Sequence, residues 1–286
     1  MPRSETATRV AVAAVGIPVA IGAVVLGGWV LAALLGVVAV LAALEFSKLA
    51  AAKGPRPLQA ISAAAAAGFV VLAALRPDLG PGGPAWAGLV VLLVMASIAG
   101  AIWLRGVEGQ PVLGISATVF GALYTGALLA FGLYLRHLPG VTNRWHGTAL
   151  LFAPVLLTWS NDSFAYFVGR RFGRRKLIPR VSPGKTVEGT LGALVGTILV
   201  AVAYSFLLAR FPAYRIGVPA AAAFGAGISI AAVVGDLAES LLKRDAGVKD
   251  SGTLLPGHGG ALDRFDSLFF TLPLAYYFFR YVVGAG

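Results

Sequence analysis

The sequence predicts an all-α fold, a polytopic transmembrane helical protein of about nine spans, with a polar site built by the C-terminal region at the cytoplasmic interface. Three observations predict it. Of 286 residues, 58% are hydrophobic and only 12% are charged, against about 25% charged in soluble domains. A mean hydropathy of +0.84 puts more apolar side chains in the chain than one core can bury, so the excess must face lipid. The apolar residues also come in runs of spanning length, broken by short stretches of Gly, Pro and charge.

Taken in order, the spans are expected near 10–26, 28–44, 58–75, 85–104, 112–135, 148–168, 189–209, 216–238 and 267–284. Each approaches the roughly 20 residues that cross a bilayer. The first two are separated only by Gly27-Gly28 and read as a tight hairpin or one broken element. The first is expected to be retained rather than cleaved, because apolar sequence continues past it with no small-x-small site. With the N-terminus cytoplasmic, 17 of the 23 lysines and arginines fall on the cytoplasmic side. That imbalance sets the orientation, puts the C-terminus outside, and points to the cell membrane as the location.

The net charge of +11 is read as basic loops that hold the cytoplasmic side and touch anionic lipid. No aromatic–basic interleaving favours nucleic acid as a partner. With no cysteine, thiolate nucleophiles, disulfides and cysteine-held metals are excluded. Residues 1–147 read as a transmembrane scaffold of about five spans, whose acidic residues are Glu5, Glu45, Asp78 and Glu108. Residues 148–286 hold the other eight acidic residues and read as the region that carries the chemistry.

Six carboxylates lie between Gly235 and Ser267: Asp236, Glu239, Asp245, Asp250, Asp263 and Asp266. One aspartate at mid-membrane costs about 2.5–3.5 kcal/mol on insertion scales, so these must line a wet interior or meet cations. At 100° per residue, Asp236, Glu239, Ser240, Lys243 and Arg244 share one helix face. Asp263, Asp266 and Ser267 repeat the pattern where the last span begins, after a glycine-rich loop. Carboxylates on opposed helix ends suit Mg²⁺, which takes one or two of them plus phosphate oxygens. Lys243, Arg244, Lys249 and Arg264 would meet the phosphates. Taken singly these features have blander readings: Lys243-Arg244 as a topology anchor, Asp236 as an interhelical hydrogen bonder, His258 as a turn residue. The combination is what points to phosphoryl chemistry.

A second cluster, Asn161-Asp162-Ser163, sits inside an otherwise apolar helix, and intramembrane ionisable residues are functional candidates. The loop after it carries Ser182-Pro183-Gly184-Lys185-Thr186. Gly184-Lys185-Thr186 imitates a nucleotide-binding P-loop, but Pro179 stands where that motif needs its first glycine.

At these positions the sequence resembles the phosphatidate cytidylyltransferase, or CDP-diacylglycerol synthase, family. The signature is carried by Ser240, Leu242, Lys243-Arg244, Lys249-Asp250, Pro256, His258-Gly259-Gly260, Asp263-Arg264 and Asp266. The Asn161–Gly169 and Ser182–Gly189 segments follow the family in the same order, so the resemblance covers roughly 155–270. Ala261 departs from it, standing where the family has a larger aliphatic residue.

The resemblance implies the conversion of CTP and phosphatidic acid to CDP-diacylglycerol and pyrophosphate, with Mg²⁺, alone or joined by a second cation, and a homodimer. It implies that Asp236 and Asp263 hold the metal, with Asp266 or Asp250 assisting, and that Lys243, Arg244 and Arg264 grip phosphates. Lys249 and His258 are expected over the nucleotide, and Asn161, Asp162, Ser182, Lys185 and Ser240 are expected to complete the pocket. On the residues alone, another lipid phosphate, another nucleotide or a cation-coupled transporter with a carboxylate-lined site stays open.

Overall fold

The structure is a computed structural model that describes residues 3–77, 80–211, 214–252 and 259–283. Among the described residues, eleven α-helices follow one another: α1 Arg3–Leu26, α2 Gly28–Ala51, α3 Gln59–Leu75, α4 Pro84–Gly100, α5 Pro111–Ala122, α6 Leu128–Arg136, α7 Arg144–Phe172, α8 Val187–Leu208, α9 Val218–Asp245, α10 Leu262–Phe265 and α11 Leu268–Tyr277. Each of the nine predicted segments falls on helix, with ends that differ by up to seven residues, as where α9 runs on to Asp245 rather than 238.

Crossing a membrane is a narrower statement. Among the described residues, five helical stretches are long and apolar enough to span: Gly28–Ala51, Pro84–Arg105, Pro111–Arg136, Val187–Leu208 and Val218–Asp245. Gly16–Leu26 and Gln59–Leu75 are apolar but shorter. The 29-residue α7 is long enough, but Asn161, Asp162, Arg170 and Arg171 interrupt its apolar character. Large apolar side chains are left outward on the spans, among them Trp103, Met95, Leu199 and Phe206. This is a multi-pass membrane protein.

Two of the departures from plain helices change predicted elements. A π-helical turn at Leu123–Ala127 joins α5 to α6, so the predicted span 112–135 is three elements. The basic loop after α7 contains a small antiparallel sheet, β1 Lys176–Ile178 paired with β2 Ser182–Thr186, where the sequence suggested only loop.

The chain forms two compact units that do not follow its order. One is residues 1–134 with 242–265; the other is 135–241 with 266–286. The segment 242–265 groups with the first unit although it follows most of the second in the chain.

In the first unit α2 packs on α3, and the π turn packs on α3. The contact is backbone on backbone, since a Cβ on Gly126 would collide with the main chain of Ala66. Phe46, Phe120 and Tyr124 form an aromatic cluster with centroids 5.4–6.2 Å apart. The Leu58 N–H, one of the donors that a helix start leaves unsatisfied, donates to Thr118 Oγ1 at 2.8 Å.

In the second unit α7 and α8 are the principal pair. Both begin on a side-chain cap: Asn143 accepts from the His146 N–H at 2.9 Å, and Thr186 from the Gly189 N–H at 3.1 Å. Gly189, Gly192 and Gly196 of α8 lie against Ala165, Val168 and Phe164 of α7, and a Cβ at any of them would clash. This is the close helix approach that small residues allow in membranes. Tyr204 donates to the Ala149 carbonyl at 2.9 Å, and Thr158 donates to Thr271 of α11 at 3.2 Å.

Candidate active site

In the second unit, α7, the hairpin, the start of α8 and the middle of α9 enclose a cavity of about 480 Å³. Its polar lining is Asn161, Asp162, Tyr166 and Arg170 from α7, Lys176, Lys185 and Thr186 from the hairpin, Thr190 from α8, and Asp236 from α9. Asp162, Tyr166 and Arg170 are four residues apart and therefore share one face of α7. The hairpin is tied to its place by Glu188, whose carboxylate accepts the N–H groups of Arg174 at 2.9 Å and Arg175 at 3.1 Å.

The electrostatic centre of the cavity is an ion pair, Lys185 Nζ to Asp236 Oδ2 at 2.6 Å. Its two side chains are 23% and 35% exposed, so water and solutes reach it. The second Asp236 oxygen accepts only a long bond from Ser240 Oγ, at 3.3 Å. Asn161 is buried and fixed by Ser229, which donates to its Oδ1 at 2.7 Å. Its amide group reaches Asp162 Oδ1 at 3.5 Å. Arg170 donates to the Tyr166 hydroxyl at 2.8 Å, with its guanidinium 5.9 Å above that ring. Asp266, in the turn before α11, sits in the field of Asp236 and Asp162. Burial first, then repulsion from Asp236, pushes its carboxyl up to about 7. Three carboxylates thus share one close lysine.

The first unit holds a different kind of carboxylate. Asp263, at the start of α10, is surrounded by donors. Lys243 Nζ lies 2.7 Å from Oδ1. Oδ2 accepts Ser251 N at 3.0 Å, Ser251 Oγ at 2.8 Å and Gly260 N at 2.7 Å. Gly259 has φ of +79°, and a Cβ there would stand 2.7 Å from Asp263 Oδ2, so glycine is required on both counts. Behind this turn the buried Glu45 of α2 accepts Ala261 N at 3.0 Å, Leu262 N at 2.8 Å and Ser251 Oγ at 3.2 Å.

The model of the cytidylyltransferase family matches residues 7–282. The chain belongs to the cytidylyltransferase family. Among relatives, it is 34% identical over 299 residues to a phosphatidate cytidylyltransferase of Synechocystis, covering 94% of this chain and 95% of that one. A phosphatidate cytidylyltransferase of Bacillus subtilis is 42% identical over 156 residues, 54% of this chain and 55% of the relative. An uncharacterized Escherichia coli protein, YnbB, is 42% identical over 167 residues, 58% of this chain and 54% of the relative. The last two alignments thus span about half the length of those proteins.

Within this cytidylyltransferase, the structure brings together Asn161, Asp162, Lys185 and Asp236 around the cavity, with Ser240 on Asp236. It separately brings Lys243 to Asp263. Asp236 and Asp266 belong to the second unit and Asp263 to the first. Ser182 begins β2 and is half-buried, whereas Arg244, Lys249, Asp250 and Arg264 are exposed. His258 lies outside the described residues. Sequence reasoning did not single out Tyr166 for the cavity, and took Arg170 and Lys176 only collectively, among the seven basic residues from Arg170 to Lys185 that could bind lipid phosphate or a nucleotide triphosphate. The i, i+4, i+8 spacing from Asp162 was the available signal for Tyr166 and Arg170. It also left Glu45 in the scaffold, although a glutamate within an apolar helix was signal enough to ask what it meets.

Proposed function

We propose that this member of the cytidylyltransferase family transfers the cytidylyl group of CTP to phosphatidic acid. An oxygen of the lipid phosphate attacks the α-phosphorus of CTP. The bond from that phosphorus to the bridging oxygen breaks, and the electron pair leaves with pyrophosphate. The observation that carries the reading is the Lys185–Asp236 pair in a water-reachable cavity that also presents Arg170 and Lys176. The nucleophile is already anionic at neutral pH, so the site needs no strong base; it must bring anions together. Lys185, Lys176 and Arg170 are placed to bind phosphate oxygens, and Asn161 and Tyr166 to orient the nucleotide. In the first unit, Lys243, Arg244 and Arg264 are assigned to phosphate by the family signature.

The donor chemistry of the second unit suits Mg²⁺. Asp162, Asp236 and Asp266 offer hard oxygen against a single close lysine, and the proposal has Asp236 and Asp266 hold the ion. Among the described residues, no three His, Asp or Glu side chains are grouped to hold a metal by themselves. Mg²⁺ takes one or two carboxylates and completes its shell with substrate phosphates and water. Such an ion would neutralise charge on the reacting phosphates. Asp263 would have to yield Lys243 to serve as a ligand. The proposal further includes nine spans in the plasma membrane, a cytoplasmic N-terminus, a site at the cytoplasmic face where CTP arrives, and a homodimer.

The test is direct. Purified protein in detergent, given phosphatidic acid, CTP and Mg²⁺, should release CDP-diacylglycerol and pyrophosphate in equal amounts, and EDTA should stop both until Mg²⁺ is restored. Folded protein that makes neither product would overturn the reading.

A further inference from the structure

Glu45 lies on α2 among alanines, leucines and valines, far in sequence from any motif of the site. It is only 5% exposed, and burying a carboxylate costs several kcal/mol unless donors meet it. The donors that meet it come from one place. Ala261 N and Leu262 N, immediately before Asp263-Arg264, bind Oε1 and Oε2 at 3.0 and 2.8 Å. Ser251 Oγ, immediately after Lys249-Asp250, lies 3.2 Å from Oε2 and 2.8 Å from Asp263 Oδ2. One hydroxyl therefore stands between the two carboxylates. The chain is also tailored to Glu45 on both sides. A Cβ on Gly252 would stand 2.5 Å from Oε1, and one on Gly260 would collide with Oε2.

We infer that Glu45 is a positioning residue for the reaction: from the scaffold helix, its buried carboxylate fixes the chain at 251–252 and 259–263 and so sets the Lys243–Asp263 pair. This deepens the cytidylyl-transfer reading and rests on it. Among the described residues, Glu45 touches no group assigned to substrate; it acts through the backbone that carries Asp263. A glutamine in its place presents an N–H to a peptide N–H, so one of the two backbone bonds becomes a repulsion.

The test uses the full chain in detergent with Glu45→Gln, Ser251→Ala and the double variant. Steady-state rates with CTP and phosphatidic acid are combined with backbone hydrogen exchange measured without substrate. Glu45→Gln should lower kcat about 10- to 100-fold, the scale of a misplaced catalytic group, while KM for both substrates stays within about threefold. Exchange should accelerate at Ser251, Ala261 and Leu262 and stay slow in α2 and α3. The two single losses should combine to less than their product, because the residues share one network. If Glu45→Gln fails to fold, Ser251→Ala carries the same local signature.

Turnover within about twofold of the parent, or exchange that accelerates throughout α2 and α3, would overturn the inference. Failure of the parent itself to make product would remove the cytidylyl-transfer reading. Unchanged exchange at Ala261 and Leu262 would remove the positioning role alone.

Discussion

Asp236 and Asp263 both belong to the acidic stretch between Gly235 and Ser267, yet the protein treats them in opposite ways. Asp263 accepts three hydrogen bonds and an ammonium, in a side chain only 8% exposed. Asp236 has one lysine, one long hydroxyl contact and a side chain 35% exposed. A carboxylate saturated by its own chain organises structure, because every bond it makes holds a loop. A carboxylate left under-satisfied beside a cavity keeps its charge for something that arrives. The comparison assigns architecture to the first and ligand binding to the second.

The largest effect that can break this comparison is on Asp263. Asp263→Asn takes the carboxylate from the Lys243 ammonium, whose side chain is 14% exposed. Breaking a buried pair from one side costs about 3–5 kcal/mol. Thermal unfolding in detergent should therefore shift down markedly, with activity lost alongside; an unshifted midpoint would end the architectural assignment. Asp236→Asn comes next. It should cost about 100- to 1,000-fold in kcat, the scale of a lost charge-stabilising group, with the unfolding midpoint nearly unmoved. Loss of stability without loss of rate would reverse the two roles. The smallest effect is Tyr166→Phe, which removes the hydroxyl that receives the Arg170 guanidinium. One hydrogen bond of this kind is worth about 0.5–1.5 kcal/mol, so KM for CTP should rise a few-fold with kcat held. A change confined to kcat would place Tyr166 at the reacting atoms instead.

The cavity residues were legible in sequence for the same reason that they are costly. Asn161, Asp162 and Asp236 interrupt apolar helices, and a polar group in a span must have a purpose. Lys185 was found through its motif. Tyr166 and Arg170 were hidden because an aromatic and a basic residue near a span end fit an interfacial anchor equally well. Glu45 was hidden more deeply: its partners lie 206–217 positions away and include two backbone N–H groups, which carry no residue identity at all. The hairpin escaped because a Ser-Pro-Gly-Lys-Thr strand has no alternation of apolar and polar residues to betray it. The helices were readable from hydropathy. The crossing count was not, since α7 is long yet too polar to be judged by composition.

The glycines along α8 have a mechanical consequence. Because Gly189, Gly192 and Gly196 add no side chain of their own where α8 meets Ala165, Val168 and Phe164 of α7, the gap between these two helices is set by direct contact, with no second layer of rotamers to compress. A bilayer that thickens or thins exerts its load on the pair as a single strut. Asp162 on one helix and the hairpin leading into the other then tilt together, and the cavity they wall keeps its width.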